Sequence, residues 1–393
     1  MFYNKKGFTT VFLVIITGAM ISLVICFIQI SVDKAAVSYC NSLFNLAGRS
    51  VLSEYDRELK ARYGIIAFYG NYEEIREKLA EYVTYTIKDG RYIRIKDIRP
   101  VLKEYSLLNC DCFEEQILRD NLENILNFPE EKNTQVITGS RVLRNSKAVD
   151  NLPSYGITEK PSVASAISRL EGLSDISSLF QSGKKETFTY IYMFARFKSG
   201  LSGHEDGTTF FQNEIEYILY GKNSDAANAA SALKDIKSIR TALNVAHIYS
   251  DPVKRNETLL LAEALTPGPP AAATQAVIIA AWAAAEAEAD MKVLKEGGSI
   301  PFIKKSSDWI TDIDGKITRE LTSYEGRGGT YDDYLKVLLC FVTRETKLLR
   351  MMDLIQINLQ GTYWGSFYIK DFYRGFTFET KVNRKRTIYN EQY

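Results

Sequence analysis

From Phe8 to Ser31 the chain carries no charged side chain, and Val11 to Ile30 reads VFLVIITGAMISLVICFIQI. That is about the ~20 apolar residues an α-helix needs to cross ~30 Å of hydrocarbon, and it exceeds the ~7–15 residues of a cleaved signal's apolar core. Cys26 inside the run is preceded by Leu23, Val24 and Ile25, so the small residue that lipoprotein processing needs is missing. The segment therefore reads as a retained single-pass span over residues 8–31, after a short leader at 1–7. Lys5 and Lys6 precede it, while Asp33 and Lys34 follow. The positive-inside rule then puts the N-terminus in the cytoplasm and the body outside the cell membrane. Gly18, Ala19 and Ser22 within the span are small enough to let another membrane helix approach closely.

No helix breaker follows the span. Leu43, Ala47, Val51, Tyr55 and Leu59 recur every four residues along one face, and Gly64 is the first plausible stop. One long helix is expected, part in lipid and part packed on a body whose first portion covers 32–128. Within it, Tyr72 to Ile87 and residues 113–127 read as helices, and Tyr92 to Ile95 as a half-buried strand. Residues 129–185 are rich in Ser, Lys, Glu, Asn and Gly, and they read as a mobile insertion or linker that buries little apolar area. A main helical body with C-terminal strands is expected over 186–382. In it a cap at Ser250 or Asp251 before Pro252 opens a helix, and Thr266 to Pro270 closes it. The alanine-rich helix AAATQAVIIAAWAAAEAEADMKVLKEGG from Ala271 belongs to the core, because its uncharged part ends at Ala285, too short for a second span. Asp312 to Lys316 forms a turn, Tyr331 to Leu359 a last long helical region, and 362–382 a hairpin or sheet edge. Residues 383–393 read as a polar, frayed tail. The fold class is α+β, mainly helical, with a long N-terminal stalk helix.

Lysine plus arginine number 49 against 48 aspartate plus glutamate, a net charge of +1, so no global field draws in nucleic acid. Cys110 and Cys112 lack a second pair at zinc-site spacing, and only His204 and His247 are available to help them, so no metal site is expected. His204 lies beside Glu205 and Asp206 in a Gly/Ser loop and reads as solvated surface. The phosphate-cradling Walker pattern, GxGxxG, HExxH and GxSxG are all absent, GLSGH at 200–204 echoing the last only in part. No catalytic residue, cofactor or small-molecule substrate is indicated, and the chain reads as non-catalytic.

Lys5-Lys6-Gly7-Phe8-Thr9, directly before the apolar run, resembles the leader junction of type IV pilins and pseudopilins. That likeness marks Gly7 and Phe8 as a processing junction. Phe12 stands where those proteins usually carry glutamate. A wider resemblance rests on TVFLVII at 10–16, SVLSEYDRELKARYGIIAF at 50–68, FQNEIEYILYGK at 211–222, AAWAAAEAEADMKVLKEGG at 280–298 and RMMDLIQINL at 350–359. It is to uncharacterised membrane proteins of Gram-positive anaerobes that look like TadE/TadG pseudopilins of tight-adherence pilus and type II secretion-like systems. The resemblance implies a structural or assembly component whose partners are the membrane, other pseudopilins or a pilus or secretion platform protein. The alternative is a cell-envelope enzyme acting on peptide or glycan, which requires a cleft with acid/base groups of perturbed pKa.

Overall fold

The computed structural model describes residues 5–87, 93–126, 151–171, 184–200, 209–321, 323–324, 328–383 and 385–393. In chain order the elements are α1 (Lys5–Leu52), α2 (Arg57–Tyr63), β1 (Phe68–Tyr69), α3 (Tyr72–Thr86), β2 (Ile95–Val101), α4 (Cys110–Leu126), α5 (Val163–Glu171), α6 (Lys184–Arg196), α7 (Glu214–Tyr220), α8 (Asp225–Ser250), α9 (Pro252–Leu265), α10 (Ala271–Lys295), α11 (Tyr331–Leu339), α12 (Arg344–Thr362), β3 (Phe372–Tyr373), β4 (Gly375–Val382) and β5 (Lys385–Gln392). The chain is mainly helical, at 64%, with a few short antiparallel strands, in agreement with the expected class. It divides into two units. One joins residues 1–61 and 65–112 to the C-terminal 370–393; the other comprises 62–64 and 113–369. Contacts thus join the two ends of the chain in one unit, where the sequence reading drew contiguous blocks.

In the first unit the second half of α1 supplies the core. Ala36, Cys40, Phe44, Ala47 and Val51 are buried at helical spacing. They pack against Ile75, Leu79 and Val83 of α3 and against Phe376, Phe378, Val382 and Tyr389 of the sheet β2-β4-β5. The expected run of α1 to Gly64 is not seen. Ser53 and Glu54 turn back on Arg49 and Val51, Tyr55 bridges to Phe68, and Asp56 caps α2 by accepting from the Leu59 N–H at 2.7 Å. Local helix propensity continues past Leu52, but pairing with β1 overrides it. Leu59 is still fully buried, on α2.

The tail is a strand rather than frayed. Lys385–Gln392 pairs with all of Gly375–Val382, and Thr387, Tyr389 and Glu391 alternate toward the less exposed face. Tyr389 stacks on Phe378 at 4.8 Å between ring centroids, meets Phe44 at 5.4 Å, and donates to Asn41 Oδ1 of α1 at 2.6 Å. Period-two burial of one large aromatic fixes the register of an otherwise polar segment.

In the second unit α8, α9 and α10 pack together. Asp251 caps α9 at the Val253 and Lys254 N–H groups with Pro252 in its first turn, as expected. The alanine-rich α10 buries Ile279, Trp282, Ala283, Glu286, Ala287, Asp290 and Leu294 and is a core helix. Its small side chains let α8 and α9 come close. The last helical region is broken: Thr343 opens α12 by accepting from the Thr346 N–H, while its own N–H donates to Glu159 at 3.0 Å. The expected turn at Asp312 is present, with Gly315 at φ +76° and the Lys316 N–H donating to Asp312 Oδ1. Part of the stretch read as a linker is packed: Leu152, Ser154, Ala166 and Leu170 are buried. Residues 129–150 and 172–183 of that region lie outside the described residues.

Candidate functional site

Two features carry the chemistry of the molecule, the bare half of α1 and a set of buried polar clusters in the second unit. The helix is 48 residues long and, from Thr9, apolar enough to cross a membrane; it is the one such helix among the described residues. At ~1.5 Å per residue it extends roughly 70 Å. Leu13 and Val14 are 66% and 68% exposed, and burial begins only at Ala36. Gly18 and Ser22 lie about one turn apart on this exposed half with Ala19 next to Gly18, and a Cβ added at Gly18 would meet nothing within 4 Å. Among the described residues nothing covers this face. Gly7 and Phe8 fall in the first turn of α1, with their side chains outside the described residues.

In the second unit, Glu286 and Asp290 lie one turn apart on the buried face of α10. Glu286 accepts from the backbone N–H groups of Ile310 at 2.9 Å and Thr311 at 2.8 Å and from the Thr311 hydroxyl at 2.7 Å. Lys304 pairs with Glu286 and lies 2.5 Å from Asp290. Arg240 of α8 donates through Nε to Asp290 at 2.9 Å and through Nη1 to the Pro301 and Phe302 carbonyls. All four side chains are essentially fully buried, and their formal charges cancel. Above them Lys254 holds its ammonium 4.2 Å from the ring centroids of both Trp282 and Trp309, and burial lowers its pKa. His247 stacks on Trp309, with Nε2 3.7 Å from Asp251 Oδ2; burial lowers its pKa also.

A second cluster surrounds α12. Asp353 accepts from the Ser154 N–H and the Tyr217 hydroxyl, both at 2.9 Å, and from the Ser154 hydroxyl. Burial nevertheless raises its pKa to about 6. Arg350 donates to the carbonyls of Ile218 and Leu219 at 2.8 Å and of Glu159 at 2.6 Å. Glu216 of α7 accepts from Tyr331 at 2.7 Å and from the Gly200 N–H at 2.9 Å, and burial raises its pKa.

These are perturbed groups of the kind that active sites use. Glu286 and Asp353 take several donors each from the fold itself, while Glu216 Oε2 is buried with no hydrogen-bond partner among the described residues. Asp353 is fully buried, Tyr217 2% exposed and Ser154 8% exposed. What such an arrangement does chemically is tie loop backbone to helices at fixed register. Sequence reasoning missed both clusters. Glu286 and Asp290 read as the polar continuation of an alanine-rich helix, although their four-residue spacing in phase with Trp282 and Ala283 was the available signal. Of their cationic partners, Arg240 lies 50 positions from Asp290, and Lys304, 18 positions past Glu286, sits in a segment with no helical period to place it. His204, Glu205 and Asp206 lie outside the described residues. Cys112 is buried, its thiol donating to the Glu104 carbonyl at 3.1 Å, and Cys110 is half-buried.

No curated protein and no solved structure matches this chain. A profile that the chain matches over residues 113–384, well over half its length, begins beyond the apolar span and takes in the buried clusters just described. The chain therefore belongs to the family of unknown function DUF5702.

Proposed function

We propose that the protein is a membrane-anchored structural or assembly component of a Tad-like pilus or type II secretion-like apparatus, with a cytoplasmic N-terminus and an extracytoplasmic body. The observation that carries this reading is the construction of α1. One uninterrupted helix is bare and apolar over its first half and forms the core of a folded unit over its second. Such a helix transmits position from the membrane to the body without a hinge, which is what a component docking into a platform requires. The resemblance of Lys5 to Thr9 and of the longer segments to pseudopilins adds to it, and Gly18, Ala19 and Ser22 supply the face for a neighbouring helix. The carboxylates of Glu286 and Asp353, each held by several donors from the fold, fit a scaffold.

The test is a crosslinked pull-down from detergent-solubilised membranes, with a photoreactive residue at Ala19 and an affinity tag after Tyr393. Adducts with other pseudopilins, a platform protein or a secretion ATPase support the assembly role. A monomer without adducts, in cells that assemble the apparatus, overturns it in favour of an envelope enzyme.

A further inference from the structure

Where the apolar run of α1 ends, the tip of the β4-β5 hairpin lies against the helix. Asn383, at φ +53°, donates through Nδ2 to Asp33 Oδ1 at 3.2 Å, two residues past Ser31. The same side chain accepts from the Arg94 N–H at 2.9 Å, and its own N–H donates to the Arg94 carbonyl at 2.8 Å. Asparagine tolerates the left-handed conformation better than most residues, and here it pins hairpin, β2 lead and α1 together.

Beside this clamp is a cavity of about 390 Å³. Ile30, Val37 and Val382 form its apolar wall; Lys34, Ser38, Asn41 and Lys385 supply polar groups, and Asp33, held by Asn383, lines it as well. Lys34 and Lys385 are both exposed. The volume falls within the roughly 300–1,000 Å³ of small-molecule sites.

A second observation concerns the sheet next to it. Lys96 of β2 is paired with Lys381 of β4, and Lys381 with Arg386 of β5. Three exposed cations thus occupy one row across the sheet, where like charges directly opposite one another destabilise pairing. Glu379 pairs with Arg386; Asp33 and Asp97 are the other acids at this end. Lys34, Lys96, Lys381 and Lys385 have no carboxylate partner among the ion pairs of the described residues. A row of this kind is favourable against an anionic surface, and the end of an apolar span is where such a surface lies.

We propose that this end of the first unit binds the phosphate headgroup of an anionic lipid. Lys34 and Lys385 take the phosphate in the cavity, an acyl chain follows Ile30 down α1, and the Lys96–Lys381–Arg386 row faces neighbouring headgroups. The proposal rests on α1 being in the membrane and holds for either orientation. Each lysine near an anionic leaflet contributes roughly five-fold in affinity. Loss of both therefore removes most of the selectivity.

The experiment reconstitutes the full chain into equimolar phosphatidylcholine and phosphatidylglycerol, then releases it in mild detergent and weighs the retained lipid by native mass spectrometry. Wild type retains phosphatidylglycerol in several-fold excess. Lys34→Gln with Lys385→Gln brings the ratio to that of the bilayer; Lys34→Arg with Lys385→Arg keeps the excess, as does Lys316→Gln in the other unit. A wild-type ratio equal to that of the bilayer, or an undiminished excess in the double Gln protein, overturns the site. Displacement of the lipid by millimolar inorganic phosphate assigns the cavity to free phosphate and overturns it too. Carbonate extraction reads the anchor separately. Protein that stays in the membrane without lipid preference refutes the headgroup site alone, whereas protein that is extracted refutes the anchor and the site together.

Discussion

The charge cluster on α10 gives the sharpest test of how the second unit is held. Asp290 lies between two cations, Arg240 and Lys304, and Glu286 balances the remaining charge. Asp290→Asn keeps shape and leaves a buried net charge of one positive unit; Lys304→Met keeps most of the volume and leaves one negative unit. Breaking a buried pair from one side costs about 3–5 kcal/mol, because the surviving charge is stranded away from water. For a unit of this size each kcal/mol lowers Tm by about 2–4 °C, so either single change lowers Tm by on the order of 10 °C. The double protein restores neutrality, with Arg240 still bound to the Pro301 and Phe302 carbonyls and Glu286 to Ile310 and Thr311. It should therefore be more stable than the worse single. Trp282 and Trp309, 5.2 Å apart between ring centroids, lie against this cluster and report its loss through tryptophan fluorescence on thermal melting in detergent. If either single melts within about 2 °C of wild type, or if the two losses simply add in the double, charge balance is not what holds the cluster.

Three further outcomes follow from local geometry. Asp353 has a folded pKa of about 6, above its unfolded value, so the folded state holds a proton that the unfolded state has released. Relative to Asp353→Asn, wild type should lose stability as pH rises from about 4 to about 6 and level off above; a Tm difference flat across that window refutes the assignment. Gly221→Ala should cost about 2 kcal/mol by thermal melting, because Gly221 caps α7 at φ +60° and a Cβ there would lie 2.8 Å from Arg350 Nε; an unchanged Tm means Arg350 shifts freely. Tyr389→Ala should cost about 3 kcal/mol, removing the ring between Phe44 and Phe378. Protease cleavage of β5 at unchanged unit 2 fluorescence is the expected readout, and resistance equal to wild type contradicts it.

The apolar span, the packed stripe from Leu43 to Val51, the capped start of α9 and the turn at Asp312 were legible because each is written in adjacent residues. Periodicity, an Asp-Pro pair and an Asp/Gly turn need no distant partner to be recognised. The break at Leu52 was not legible, since it depends on Tyr55 meeting Phe68 and on Asp56 capping the next helix. The same holds for β5: a segment reading KRTIYNEQ has the composition of a tail, and only Tyr389 at the right register makes it a strand against α1. The polar clusters were least visible. Each is closed by residues distant in sequence, such as Arg240 with Asp290 at 50 positions and Ser154 with Asp353 at 199, and even Lys304 lies 18 positions from Glu286, beyond the reach of a helix period.

Buried ion pairs are weak sources of stability, since well-packed apolar groups of similar volume often do as well or better. Their retention in the second unit therefore calls for another reason, and the geometry offers one. Residues 299–318 are held by isolated bridges, turns and one short 3-10 turn rather than by a long helix or strand, and Lys304, Ile310 and Thr311 attach that segment to Glu286 and Asp290. An apolar contact would permit sliding; a carboxylate with four assigned donors does not. Polar groups thus fix the interior of the second unit, whereas Val11 to Ile30 lie bare among the described residues. As the proposed anchor, that surface calls for lipid or a neighbouring helix. Lipid alone satisfies its apolar surface, whereas a neighbouring helix would also use the recess at Gly18. Crosslinking at Ala19 separates the two, because lipid leaves no protein adduct.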